Sequence, residues 1–252
     1  MNQRKSFQLV ISWFLCVLLL FGLSLVASAL KLSDVHAIIL QELTLVIIFC
    51  LLNRYWVKIN IHFKSDLSFK TQLITNAVPL IYMLLLLIII SQELGQTSIL
   101  KFCLYGIAAA LVALFEEYLF RGMILGGLMA QFRGRKSTVV IEAVLISSLI
   151  FSLTHILNIF HQSLSMTATQ VVGVFGLGLL LGAIYLRTRS LWWPILLHLC
   201  LDFSGFLRFG FRQGTDPATT VSATSIVAVV LLMITLFLLR PSKQEQIMRN
   251  FT

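Results

Sequence analysis

Eight apolar stretches of about 18 or more residues run through this chain, at about 8–30, 36–53, 73–91, 102–120, 138–160, 168–186, 191–209 and 221–239. In hydrocarbon every backbone N–H and C=O must be bonded within the protein, so runs of this length are read as spanning helices. The composition agrees: 58% of the 252 residues are hydrophobic and 12% charged, and the mean hydropathy is +0.95. Such values exclude a soluble globular domain and a disordered chain. The expected fold is all-α, a polytopic transmembrane helix bundle of about eight spans. Short loops leave residues 1–252 as one membrane domain.

The net charge of +9 sorts by side. With the N-terminus inside, the inner segments hold Arg4, Lys5, Arg54, Lys58, Lys64, Lys70, Arg133, Arg135, Lys136, Arg187, Arg189, Arg240, Lys243 and Arg249, and the outer ones only Lys31, Lys101, Arg208 and Arg212. This is the positive-inside asymmetry, and it predicts cytoplasmic N- and C-termini. The basic excess therefore faces a lipid bilayer, and no nucleic-acid partner is expected. Arg4 and Lys5 precede an apolar run that ends near Ala27-Ser28-Ala29, which resembles a signal peptide. That run is longer than a secretory core of about 7 to 15 residues, so it is expected to remain as the first helix.

Other features have ordinary explanations. Cysteines 16, 50, 103 and 200 all fall within spans, without metal or disulfide spacing. Residues 53–70, with Trp56, Phe63 and Phe69 among basic residues, suit either a headgroup-gripping segment or a positive-inside loop. Gly178-x-x-x-Gly182 is a close-packing helix face. Gln41-Glu42 interrupts the second span, and Glu42 is expected to be structural.

Ionisable residues at membrane depth otherwise concentrate between Glu116 and Asp202. A charge at mid-bilayer costs about 2.5 to 3.5 kcal/mol even on lenient insertion scales, so the segment Glu116-Glu117-Tyr118-Leu119-Phe120-Arg121-Gly122 is a candidate site. Helical residues four apart share a face, which pairs Glu117 with Arg121 and turns Glu116, about 100° around, elsewhere. Glu116 is thereby the candidate working carboxylate. Two further pairs lie on other spans, Phe151 with His155 and His198 with Asp202. A carboxylate bonded to one ring nitrogen fixes a histidine's tautomer and leaves the other nitrogen for catalysis or a metal.

These groups could activate water in two ways. Glu116 could act as general base with help from His155, while His198 and Asp202 serve a tetrahedral oxyanion. Alternatively, a zinc ion on Glu116, His155 and His198 could lower the pKa of a bound water to about 7. No His-Glu-x-x-His motif is present to favour zinc.

Glu-Glu-x-x-x-Arg at 116–121, Phe-x-x-x-His at 151–155 and His-x-x-x-Asp at 198–202, in this order and joined by the segment 178–198, resemble the CPBP family of intramembrane proteases. This is the CAAX-protease and bacteriocin-processing group also called Abi. The resemblance covers about residues 100–210, with accessory helices over 8–91 and 221–239. It implies Glu116 as water activator, Glu117 and Arg121 completing the first motif, His155 assisting, and His198 with Asp202 at the oxyanion or a metal. The third motif often ends in Asn; ionised Asp202 only accepts hydrogen bonds, which weakens an oxyanion-donor role and favours orienting His198 or holding a cation. Arg189 stands where the family often has Gly. The family's roles include CAAX processing, bacteriocin self-immunity and peptide maturation. Small size and bare loops suggest the bacterial cytoplasmic membrane, and a peptide or membrane-protein substrate rather than a prenylated one. A non-catalytic immunity or interaction protein that retains the motifs is the alternative. The oligomeric state is not readable from the sequence.

Straight helices leave a discrepancy in depth. At about 1.5 Å per residue, His198 lies about 10 Å from the inner end of its span, and His155 about 26 Å from the inner end of its own. An inclined segment at 121–132, bending at Gly126-Gly127, or a fifth helix that begins outside the bilayer core, would reconcile them.

Overall fold

The computed structural model describes residues 3–131, 139–211 and 221–251, and every element among them is helical. Arg133, Arg135, Lys136 and Arg212 lie outside the described residues. In chain order the helices are α1 (Gln3–Ala29), α2 (Asp34–Leu52), α3 (Phe69–Thr75), α4 (Ala77–Leu94), α5 (Ile99–Glu117), α6 (Gly126–Gln131), α7 (Val139–Thr154), α8 (Leu164–Thr188), α9 (Trp192–Phe209), α10 (Val221–Leu238) and α11 (Pro241–Phe251). Several starts are legible in the sequence. Ser98 and Ser163 precede α5 and α8, and each side chain accepts from a first-turn amide, of Lys101 and Met166. Pro241 opens α11, where its missing N–H costs nothing.

Among the described residues, six helices are long and apolar enough to cross a membrane, or up to seven if the bent pair Ser222–Leu238 and Pro241–Arg249 forms one span. The remaining expected stretch, 191–209, is α9. It has the required 18 residues but carries His198, Asp202 and Arg208. Its polarity is that of the site it builds. Exposed Phe14, Leu18, Leu84, Ile88, Val227 and Phe237 cover the outer faces of the bundle, as expected where lipid tails are the solvent.

Small residues set the closest contacts. A Cβ at Gly176 would stand 2.8 Å from the Ala228 Cα, so α8 and α10 pack there almost backbone to backbone. The Gly178 and Gly182 face meets Ser148 and Val144 of α7, as close-packing spacing requires.

Three departures from straight helices position the site. First, α5 continues without a sharp bend to Gln131, but residues Tyr118–Leu125 are wound as π-helix. The change of winding falls directly after Glu117 rather than at Gly126-Gly127. Such segments often mark functional sites because the wider turn re-aims side chains and loosens the carbonyl ladder. The Ser147 hydroxyl, from α7, donates to the Phe120 carbonyl at 2.8 Å within it. Second, α7 tightens into a 3₁₀ segment, His155–Phe160, immediately after the second motif.

Third, residues 58–68 form an ordered strap. Asn53 holds its start, donating to the Ile59 carbonyl and accepting from the Ile59 amide. The strap then binds the α8–α9 turn: the His62 carbonyl accepts from the Leu191 amide at 2.8 Å, the Phe63 carbonyl from the Ser190 hydroxyl at 2.8 Å, and Asp66 pairs with Arg189. Ile61 lies on Gly122, where a Cβ would meet it at 3.0 Å, and Ile59 lies on Gly126. Within residues 53–70 the strap thus packs in part onto the bundle, while Arg54, Tyr55, Lys58, Lys64 and Phe69 stay exposed. Thr188, Ser190 and Leu191 are buried beneath the strap. Arg189 caps α8 in the left-handed conformation, φ 53°, which explains why glycine suits this position.

Candidate active site

Glu117 is completely buried at the end of α5. Its Oε1 accepts from Arg121 Nη1 at 2.8 Å and lies 2.8 Å from His198 Nδ1. An oxygen serving as the guanidinium's acceptor leaves the imidazole as donor, so Nδ1 carries a proton. The expected Glu117–Arg121 pair is therefore present, and it also orients the third motif.

Arg121 is 1% exposed, and its guanidinium stacks on the Phe151 ring at 4.2 Å from the centroid. Phe151 is the hub between motifs. His155 meets its ring edge-on at 5.0 Å and His198 at 6.2 Å between centroids. Burial of a cation against an aromatic face recovers part of the desolvation cost.

With Nδ1 engaged, His198 Nε2 points toward two other carboxylates, Glu116 Oε2 at 3.5 Å and Asp202 Oδ2 at 3.4 Å. The orienting carboxylate of His198 is thus Glu117, and Asp202 faces the opposite ring nitrogen. A lone pair on Nε2 would be repelled by two carboxylates, so at least one proton belongs to this trio. Glu116 keeps 20% of its side-chain surface exposed, against none for Glu117. The split between a committed and an open carboxylate follows the helical spacing of the motif.

His155 opens the 3₁₀ segment, and its Nδ1 lies 3.1 Å from the Phe151 carbonyl. A carbonyl only accepts, so Nδ1 holds the proton and Nε2 is the basic nitrogen. Among the described residues no ion pair reaches His155, which joins the cluster through Phe151 rather than through the carboxylates. No three or more His, Cys, Asp or Glu side chains among the described residues are arranged to hold a metal ion. Glu116, His155 and His198 do not form a ligand set as they stand, and no step below passes through a metal.

One member of the neighbourhood was not expected from the sequence. Glu42, on α2, lies within Coulombic reach of His198, Asp202 and Glu116. Its only sequence signal was a carboxylate inside an apolar run.

A polytopic helical bundle that buries a carboxylate, an arginine and a histidine in direct contact, with two partly exposed carboxylates beside them, has the makings of a hydrolytic site inside a membrane protein. The comparison with known families agrees. Residues 75–204, more than half of the chain, match the family described as type II CAAX prenyl endopeptidase Rce1-like, and the chain belongs to that family. No curated protein matches it. The matched region holds all three motifs and begins with α4, so α1 and α2 stand outside it.

Proposed function

We propose that this protein is an intramembrane endopeptidase that hydrolyses a peptide bond of a peptide or membrane-protein substrate with water activated by Glu116. One observation carries the assignment. Of the two adjacent glutamates, Glu117 is consumed by Arg121 and His198, whereas Glu116 remains partly exposed beside His198 Nε2.

In this mechanism Glu116 accepts a proton from water as the water oxygen attacks the substrate carbonyl. The tetrahedral oxyanion needs a donor, and Asp202 in its ionised form is not one. His198 can be: with Nδ1 held by Glu117, its protonated Nε2 presents an N–H toward the space that Glu116 and Asp202 border. Asp202, facing Nε2, then favours the imidazolium that Glu117 orients. His155, through Nε2, assists by relaying a proton toward the leaving amine. Arg121 acts indirectly, neutralising Glu117 and fixing the Phe151 hub.

The chain acts in a lipid bilayer as a multi-pass protein, and we place it in the bacterial cytoplasmic membrane with both termini inside. Cleavage of candidate peptides by purified wild type, Glu116→Ala and His155→Ala, with and without chelator, tests the assignment. Both variants should reach the membrane at normal abundance and lose cleavage. Retained cleavage by Glu116→Ala overturns the mechanism, and inhibition by chelator assigns the water to a metal. Biological protection by a cleavage-dead Glu116→Ala protein would instead favour a non-catalytic immunity role.

A further inference from the structure

The hydrogen bond from His198 Nδ1 to Glu117 Oε1, 2.8 Å long, joins α9 to the end of α5. The same imidazole turns its Nε2 toward Glu116 Oε2 at 3.5 Å. Both distances depend on how α5 lies against α9, and a misplacement of about 1 Å in an active site can cost about a hundredfold in rate. Groups held to that precision need neighbours whose own positions are locked by packing.

Phe63, in the strap and outside the family-matched residues 75–204, touches both the continuation of α5 and the start of α9. Its ring lies 6.3 Å between centroids from Tyr118, the residue directly after Glu117, and 5.7 Å from Trp192, the first residue of α9. Both separations fall in the range of attractive aromatic pairs. Tyr118 is itself fixed, since its hydroxyl accepts from Asn53 Nδ2 at 3.3 Å. The apolar interior falls into separate clusters. One holds Phe115, Tyr118 and Phe120 around the first motif, and another holds Leu191, Ile195 and Leu197 around the start of α9. Phe63 and its strap neighbour Ile61 pack against both.

The backbone that carries this ring is pinned. The His62 carbonyl accepts from the Leu191 amide and the Phe63 carbonyl from the Ser190 hydroxyl, each at 2.8 Å. The His62 amide donates to the Tyr185 hydroxyl at 3.2 Å, and Phe251 of α11 meets the His62 and Tyr185 rings edge-on at 5.4 Å each. We propose that Phe63 is a positioning residue of the site: its ring, in contact with Tyr118 and Trp192, sets α5 against α9 so that His198 reaches Glu117 with Nδ1 and Glu116 with Nε2. The role rests on the reading of Glu116 and His198 as the hydrolytic pair. Phe63 acts through the two helices rather than on substrate, and the position demands an aromatic ring. Phe63 is half-buried, so tyrosine can serve there, whereas leucine and alanine cannot.

The test pairs peptide-cleavage kinetics with NMR of the full chain, isotope-labelled at histidine, in lipid bilayers. The Nδ1–H resonance of His198, assigned by its loss in His198→Gln, reports the bond to Glu117. Phe63→Ala and Phe63→Leu should lower kcat by about tenfold to a hundredfold at unchanged KM and shift that resonance. Phe63→Tyr should keep both at the wild-type value, and so should Phe69→Ala, at an exposed ring that opens α3. Wild-type kcat in Phe63→Leu overturns the proposal. So does a loss of kcat with the His198 resonance unmoved, a loss of thermal stability alone, or a Phe63→Tyr protein as impaired as Phe63→Leu. The leucine variant keeps apolar bulk and carries the test if Phe63→Ala does not fold. Should Glu116→Ala cleave normally, the hydrolytic reading fails on the kinetics, and the resonance by itself decides whether Phe63 sets the Glu117–His198 contact.

Discussion

Replacing Arg121 with Leu removes the guanidinium bonded to Glu117, a carboxylate that has no exposed surface at all. Breaking a buried pair by deleting one partner costs about 3 to 5 kcal/mol, because the remaining charge is left uncompensated. Two features of the site shift the expected value. His198 Nδ1 also bonds Glu117 Oε1 and can carry part of the neutralisation, which lowers the cost. Loss of the stacking on Phe151 adds up to about 2 kcal/mol where the cation is desolvated. We expect about 3 to 4 kcal/mol for Arg121→Leu, a shift of more than a hundredfold in the unfolding equilibrium. Glu117→Leu should cost a similar amount, since it orphans the guanidinium. The double variant removes both charges and should be more stable than the sum of the two singles predicts, with a coupling of about 2 kcal/mol. Equilibrium unfolding in mixed micelles, followed by helical circular dichroism for the four proteins of the cycle, measures this. Additivity within about 0.5 kcal/mol would refute the argument that Arg121 exists to neutralise Glu117.

Two further perturbations separate packing from helix propensity and titration from simple loss of contact. Gly176→Ala forces a methyl into the Ala228 backbone at 2.8 Å and should destabilise by about 1 to 3 kcal/mol, whereas Gly205→Ala, with nothing within 4 Å, should be neutral or stabilising by up to about 1 kcal/mol; thermal unfolding in detergent compares them. Burial, aided by the Arg189 charge, holds the His62 imidazole below its ordinary value of 6.5. The native state thus binds that proton more weakly than the unfolded chain, so the stability contributed by neutral His62 is present above the ordinary value and lost as pH falls through the lower folded one. Hydrogen exchange at the Leu191 amide, which donates to the His62 carbonyl, should lose protection on acidification in the wild type more than in His62→Gln.

The three motifs were legible because helical geometry is local. Spacing of four put Glu117 with Arg121, Phe151 with His155 and His198 with Asp202, and the structure keeps each pair on one element or its continuation. What crosses between helices was not legible. The choice of Glu117 rather than Asp202 as the acceptor for His198 Nδ1 depends on how α5 and α9 are placed side by side. Phe151 as hub depends likewise on contacts between elements distant in sequence. The amphipathic α11, with Ile247 and Met248 buried against the bundle, escaped notice because it is short and polar overall.

The sequence by itself determined that the chain is helical and lies in a membrane, since apolar run length and backbone satisfaction in lipid leave no alternative, and it singled out the charged residues that lipid would not tolerate without a use. Only the tertiary structure decided partnership. The strap of residues 58–68 covers the α8–α9 turn, the chain after Glu117 winds as π-helix, and the packing of α5 against α9 gathers three carboxyls around one imidazole. Those outcomes follow from the fit of nonlocal surfaces, a strap isoleucine on Gly122 and a guanidinium on Phe151, which no periodicity along a single helix encodes.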